Sequence, residues 1–399
     1  MQRNQRSPEF IEQALSKARA RGTRTLATVA YVLGLGSMRA ARSERRGHPD
    51  KPTQIRANPR DWFERLTGFQ ETSYDATRNQ LEVVGQQLRS RATGQSYGIG
   101  RLELPALAEL RHRAESGRPV PGRRQVSIVQ GEARQLHGQP EYAGSLIQVA
   151  SQFNLLEMVS ENVSPEQGVT RYVNDRTQGP ACAIAAGAAT IYRNYFAPVG
   201  EAAGQTSTHQ LDGFASLGEA LAQAVGRPAE SLWSMRNGYS MFKPGAVGTI
   251  SQCLHTLDSK AIDELRCKLR IGLHWDVEVT DGDALPRPQV SQAFCSALPV
   301  SYNHRAGASA DDWKPFASLV LEAAYEGTLW AAVANAQRHG SKTVLLTMLG
   351  GGAFGNDEAW IHAAMRRAIE TVANHGLNIV FVSYGAPSAG LLELAKAFA

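Results

Sequence analysis

Thr343-Val344-Leu345-Leu346-Thr347-Met348-Leu349-Gly350-Gly351-Gly352-Ala353-Phe354-Gly355-Asn356-Asp357-Glu358 is the stretch of this 399-residue chain that decides its fold class. The run from Thr343 to Met348 is short and apolar, the pattern of a buried strand. Asn356, followed by two acids, reads as the N-cap of a helix over 356–374. Trp360, Ala364, Ala368 and Val372 recur along one face of that helix, and Gly376 lies past its end. Between strand and helix, four glycines fall within the six positions 350–355. A turn that needs positive φ also selects glycine, but it does not need four. A loop without side chains leaves backbone N–H groups free to surround an anion, beside the positive end of a helix. The loop is neither a Gly-Lys-Ser/Thr phosphate loop nor G-x-G-x-x-G.

Outward from this unit, strands and helices alternate. Gln125–Val129, Leu146–Ala150, 270–280, 290–302 and Leu377–Tyr384 read as strands, and 181–195 and 316–337 carry helical length and period. Alternation of this kind predicts an α/β fold, a sheet layered between helices, with ligands bound at the C-terminal ends of strands. Three segments are expected. Residues 1–58 form a basic N-terminal extension, flexible or partly helical; 59–122 form a mostly helical lead-in packed on the main domain; 123–399 form the main domain. The stretch 204–238 is the least patterned and reads as an insertion of helix and loop.

Composition bounds the function. Apolar residues make up 43% and charged residues 20%, which supplies a sizeable core. The net charge of +5 is uneven: residues 1–60 hold 13 Lys/Arg against 4 Asp/Glu, and the remainder holds 29 against 33. The main domain is therefore slightly acidic. The basic arm does not interleave aromatics with its charges, which argues against nucleic acid as a partner. The four cysteines have no metal-ligand spacing, so neither a zinc site nor any other metal is expected, and reduced thiols place the chain in the cytoplasm. Delivery into another cell stays open. No run of ~18 apolar residues is present, so no membrane span is expected.

Acids cluster at a second place. After the strand ending at Ala150, the chain runs through Glu157, Glu161, Glu166 and Asp175 to Thr177-Gln178-Gly179-Pro180 and the small-residue segment Ala181–Ala188. A carboxylate beside a helix N-terminus is stabilised as an anion and can hold a hydroxyl or orient a water. Each acid alone is equally a cap or a solvated charge; several in one loop carry the weight. Gln130-Gly131-Glu132, at the end of an early strand, is a weaker signal of the same kind.

These segments, in this order, resemble the macrodomain superfamily over about residues 125–390. Val129-Gln130-Gly131-Glu132 resembles its opening strand, which contacts adenine. Ile147–Asn154 resembles the strand that reaches the distal ribose, and Gly350–Gly355 with Phe354 the pyrophosphate loop whose aromatic packs on ribose. Ala324–Leu329, with Glu326 read as structural, resembles the helix ahead of that loop. Pro165–Thr170, Asp175–Pro180 and Tyr192-Arg193-Asn194-Tyr195-Phe196 look like the MavL-type hydrolases, relatives of poly(ADP-ribose) glycohydrolase that act on ADP-ribosylated arginine. The glycohydrolase's own Gly-Gly-Gly and Gln-Glu-Glu are missing from the first loop, which argues against polymer cleavage and leaves the catalytic acid open.

The resemblance implies a three-layer mixed sheet flanked by helices. It implies a glycosidase that frees ADP-ribose, with ADP-ribose as ligand and product, no cofactor, and a modified protein as substrate, ubiquitin being one candidate. It points to Asp175, then Glu166, then Glu157 as catalytic acids. It points to Gln130, Glu132, Asn154, Gln178, Gly350, Gly351, Gly352, Ala353, Phe354, Gly355 and Asn356 as ligand contacts. The rival expectation is a reader that binds ADP-ribose without cleaving it; convergence of Asp175 and Glu166 on one pocket with Gly351 and Phe354 would favour the enzyme. A third is a degenerate scaffold, which a pocket blocked near Gly352 would favour.

Overall fold

A computed structural model of the protein describes residues 61–339 and 341–399; the expectations for residues 1–58 lie outside the described residues. Seven strands make the main sheet: β1 (Arg101–Glu103), β2 (Gln125–Gln130), β3 (Leu146–Ala150), β4 (Gly272–Glu278), β5 (Gln289–Cys295), β6 (Thr343–Leu346) and β7 (Asn378–Ser383). Their order is β1-β4-β5-β3-β6-β7-β2. The five strands from β5 to β2 run parallel, and β4 is antiparallel to both its neighbours. The sheet is mixed, as the sequence implied.

Alternation along the strands shows why helices cover both faces. Leu146, Val344, Leu346, Ile379 and Phe381 pack into a large cluster with the helices Leu107–Ser116 and Ala246–Thr256 and with α3 (Ala310–His339) and α4 (Glu358–Thr371). Ile147, Leu345, Val380 and Val382 point the other way, against Leu136, Ala186 and Ala189. A strand buried on both faces has few polar positions to spare, which is why these runs read as continuous apolar segments. On the second face lie α1 (Gln178–Ala185) and α2 (Gly187–Tyr195). The result is three layers.

Several boundaries differ from the sequence reading. The helix expected over 181–195 is two helices, broken at Ala186 (φ −115°, ψ 61°). Its start lies earlier, so Pro180 occupies the third helical position and Thr177 the cap. The helix expected over 356–374 occupies Glu358–Thr371, and its cap is Asp357, whose carboxylate accepts from Ala359 N at 2.8 Å. Asn356 faces inward instead and donates to Leu298 O at 2.9 Å. The lead-in holds three helices but also four strands: Leu81–Val84, Gln87–Ser90 and Ser96–Gly98 form a small sheet, and β1 joins the main sheet. Pro59–Ala399 cluster as one unit, so the lead-in and the domain after it share a single body.

Candidate active site

Three neighbouring parallel strands, β5, β3 and β6, end at one cleft. Ala297 follows β5; Ala150, Ser151 and Gln152 continue β3; Met348 and Leu349 continue β6; all six line it. The floor and far wall come from Glu157, Met158, Val159, Asp175 and the start of α1, and the remaining wall from Tyr239, Tyr302, Gly350, Gly352, Ala353 and Phe354. This is where an open parallel sheet holds ligands, because the loops at strand C-termini there have no sheet partner.

The glycines of the 350–355 loop divide by cause. Gly350 and Gly355 have φ of 74° and 72°. A Cβ on Gly350 would sit 2.5 Å from Ala297 Cβ, and one on Gly355 would sit 2.0 Å from Ser301 Oγ. These two are demanded by the turn. A Cβ on Gly351 would meet Ile361 of α4 at 3.0 Å, whereas one on Gly352 would meet nothing within 4 Å. Gly352 thus faces open space. The loop is held by Asn356 N to Gly350 O (2.9 Å), Gly355 N to Gly352 O (3.1 Å) and Leu349 N to the Tyr325 hydroxyl (2.9 Å). Among the described residues, no acceptor takes the backbone N–H of Gly352, Ala353 or Phe354. Three successive free donors at the lip of a cleft form a concave site suited to an anion.

Two carboxylates line the same cleft. Asp175 is half-buried, and its Oδ1 accepts from Thr177 N at 2.8 Å, which fixes the group just before α1. Glu157 is 2% exposed. Neither of its oxygens has a hydrogen-bond partner, and the nearest cation, Arg193 Nη2, stands at 3.7 Å. Burial pushes its carboxyl up to about 8, against the pull of Arg193 and Tyr172. A buried carboxyl without partners is costly unless it stays protonated. An adjoining hollow lined by Arg171, Tyr172 and Asn174 shares Glu157, Val159 and Asp175 with the cleft.

Other expected contacts have different surroundings. Gln178 lines the cleft, but its amide is spent on the end of β3: Oε1 accepts from Ala150 N (2.7 Å) and Nε2 donates to Gln148 O (3.0 Å). Gly179 lets α1 approach that strand end, since a Cβ there would lie 2.2 Å from Ala150 O. Asn154 is fully buried, donates to Gln210 Oε1 (2.9 Å), accepts from Leu156 N (3.1 Å), and is not among the lining residues. Glu166 also stands outside the lining and accepts from Ser207 N (2.7 Å) and Ser207 Oγ (2.9 Å). Burial opposes its ionisation, yet these bonds hold its carboxyl below the usual range. Gln130 is exposed, and Glu132 stands at the N-cap position of the helix Ala133–His137 without a capping bond from its side chain; neither lines the cleft, nor do Gly351, Gly355 and Asn356. Glu326 sits in a charge cluster with Arg111 and Arg367.

The sequence reading named Phe354 but missed the two tyrosines that complete an aromatic wall with it. Tyr239, Tyr302 and Phe354 pack with ring centroids 5.2–5.7 Å apart. Burial raises the Tyr239 phenol, which donates to Met158 O at 2.6 Å. Tyr239 follows a two-residue turn, Asn237-Gly238, with φ of 45° and 80°, joining paired strands Trp233–Arg236 and Tyr239–Phe242. Asn-Gly between two alternating runs is the strongest short hairpin signal, so this element was legible. Gln152, also missed, donates to the Tyr239 hydroxyl at 3.2 Å.

No family model matches the chain, and no curated protein is similar to it. Among solved structures it is similar to poly(ADP-ribose) glycohydrolase from Thermomonospora curvata, at 13% identity and a TM-score of 0.39, over 81% of this chain and 94% of that one. It is similar to the glycohydrolase from Deinococcus radiodurans in complex with ADP-ribose, at 12% identity and a TM-score of 0.40, over 83% and 97% of the two chains. A structure of the Thermomonospora curvata enzyme bound to the inhibitor ADP-HPD is similar at 14% identity and a TM-score of 0.39, over 81% and 94%.

Proposed function

We propose that the protein is a glycohydrolase that frees ADP-ribose from a modified protein side chain, with arginine the first expectation. One observation carries the reading: free backbone donors of a glycine-rich loop and two carboxylates line a single cleft. The loop suits a pyrophosphate, and the aromatic wall of Tyr239, Tyr302 and Phe354 suits the flat faces of ribose or adenine. The carboxylates then lie toward the distal ribose.

The reaction breaks the bond between the anomeric carbon and a guanidine nitrogen and joins that carbon to a water oxygen. Departure of the guanidine builds oxocarbenium character, which a nearby carboxylate stabilises. Asp175, fixed by Thr177 N, is placed to stabilise that charge and take the proton of the attacking water. Glu157, held protonated into the neutral range by burial, is placed to give a proton to the leaving guanidine. The two groups have different surroundings, Asp175 half-exposed and Glu157 buried.

Of the four groups whose convergence would favour an enzyme over a reader, Asp175 and Phe354 line the cleft, and Glu166 and Gly351 do not. What favours the enzyme is Glu157, since a reader would need the loop and the wall but has no use for a buried, partnerless carboxyl beneath them. Gly352 faces open space, so the scaffold alternative lacks its blocked pocket. Linkage is tested on proteins carrying ADP-ribose on arginine, glutamate or serine, with release of free ADP-ribose followed by chromatography. Release from the arginine conjugate first is expected; equal or faster release from the glutamate ester would move the assignment away from arginine.

A further inference from the structure

Arg193 is the largest fully buried side chain among the described residues, with 0% exposure. It comes from α2, in the Tyr192–Phe196 segment, and is not among the residues lining the cleft. Its Nε donates to Leu155 O at 3.1 Å and Nη2 to Thr190 Oγ1 at 3.0 Å. Nη1 approaches His274 Nδ1 at 3.4 Å. The guanidinium lies 3.8 Å from the centroid of the Phe294 ring. Burying a cation costs several kcal/mol before compensation. Yet among the described residues the only carboxylate it approaches is Glu157, at 3.7 Å, beyond hydrogen-bond reach. If stability were the sole purpose, a direct bond would serve better than a gap. The gap leaves both Glu157 oxygens without a hydrogen-bond partner, while the charge stays close enough to act on them.

We propose that Arg193 is a positioning residue for Glu157: its buried guanidinium, locked by Leu155, Thr190 and Phe294, holds the carboxyl at the cleft floor and sets the pH at which it changes charge. This rests on the hydrolase reading above. The other groups facing Glu157 are few. Tyr172, from the short turn Thr170–Asn174, has its hydroxyl accepting from Glu157 N at 3.1 Å, and burial raises its phenol. Cys182 of α1 is buried, and its thiol is raised by burial and then by Glu157. His274 of β4 lies behind Arg193, and burial, then Arg193, lowers it well below the usual histidine range. Asp175 shares the cleft. Arg171, on the same turn as Tyr172, is exposed and lines the adjoining hollow with Glu157. Among the described residues, Arg193 is the cation whose charge favours the ionised form of Glu157.

The test is the pH profile of ADP-ribose release from arginine-ADP-ribosylated protein by the parent, Arg193→Met, Arg193→Lys and Glu157→Gln. The limb that Glu157→Gln abolishes belongs to Glu157. In Arg193→Met that limb should move up by about one pH unit or more, since an opposite charge within reach has been removed. Its kcat should fall by up to about 100-fold with KM little changed. Arg193→Lys should return the limb toward the parent position, even if kcat stays low. If the limb stays where it was in Arg193→Met, the inference is overturned. Should Arg193→Met fail to fold, Arg193→Lys decides against the parent: a limb moved up by about one pH unit or more, although the charge is kept, would overturn it. Proton uptake on ADP-ribose binding, from calorimetry in buffers of different ionisation heat, reads the same coupling without turnover. A parent that binds but releases nothing would end the hydrolase reading, while a proton uptake lost in Glu157→Gln and shifted in Arg193→Met would still support the Arg193–Glu157 link.

Discussion

Glu157 is the residue where folding and function pull apart. Its carboxyl titrates near 8 in the folded chain and near 4.5 when exposed, because burial penalises the charge. The folded state therefore binds more protons than the unfolded state between those values, and stability falls as pH rises through that window. Glu157→Gln removes the titration. Its thermal midpoint should vary less than the parent's between pH 5 and 8, and at pH 8 it should exceed the parent's by a few degrees, read by scanning calorimetry. Parallel curves would mean that Glu157 is ionised in the fold. Asp175 behaves differently, since it is half-buried and makes one bond to the backbone. Asp175→Asn should leave the fold intact and lower kcat by about 10²–10⁴-fold, in line with loss of a positioned base. The sequence brought both acids into view but ranked Glu166 between them, because spacing along a loop says nothing of which acid meets Ser207 and which meets the cleft.

At the scale of elements, the loop between β6 and α4 was legible almost completely, as strand, glycine run and helix. The cap was misread by one residue, since Asn356 and Asp357 are equally good caps and only the packing of Asn356 on Leu298 decides between them. Asn154 was read as a ligand contact because it follows a strand end; its partner Gln210 is 56 residues away, a separation no local pattern reports. The break at Ala186 was missed for a similar reason: Gly187 beside it is a residue that helices tolerate, and what makes it matter is its distant contact with Trp62, which leaves only 2.8 Å for a Cβ. The glycines of the loop make a sharp prediction. Gly350→Ala and Gly355→Ala force a side chain into positive φ and into Ala297 or Ser301, and each should destabilise by roughly 1–3 kcal/mol in urea unfolding. Gly352→Ala should leave stability near the parent's, while Gly352→Val, which puts branches into the open space, should weaken ADP-ribose binding by about tenfold in calorimetry. Equal destabilisation by all four changes would mean that Gly352 is a turn glycine like the others.

For the whole molecule, the two layers of helices carry separate tasks. On one face, Glu326, 1% exposed on α3, is bonded to Arg111 of the helix Leu107–Ser116 and to Arg367 of α4, and Asp263 joins both arginines. Burial opposes ionisation of Glu326, but the arginines hold its carboxyl below the usual range, and Arg111 above all holds Asp263 down to about 2. Groups lowered in this way stabilise above their unfolded values near 4, and that stability is lost as pH falls toward 2. Glu326→Gln should cost about 3 kcal/mol in urea at pH 7 and lessen the acid dependence, with kcat unchanged. A loss of activity would mean that this face reaches the cleft. The other face, with α1, α2 and residues 61–99 of the lead-in, frames Glu157 and Asp175. The central claim, that this arrangement cleaves rather than merely holds ADP-ribose, is tested most directly by incubating arginine-ADP-ribosylated protein with the parent and with Asp175→Ala and following free ADP-ribose. Release by the parent and none above background by the variant is the result predicted; tight ADP-ribose binding by the parent with no release would contradict it and make the protein a reader.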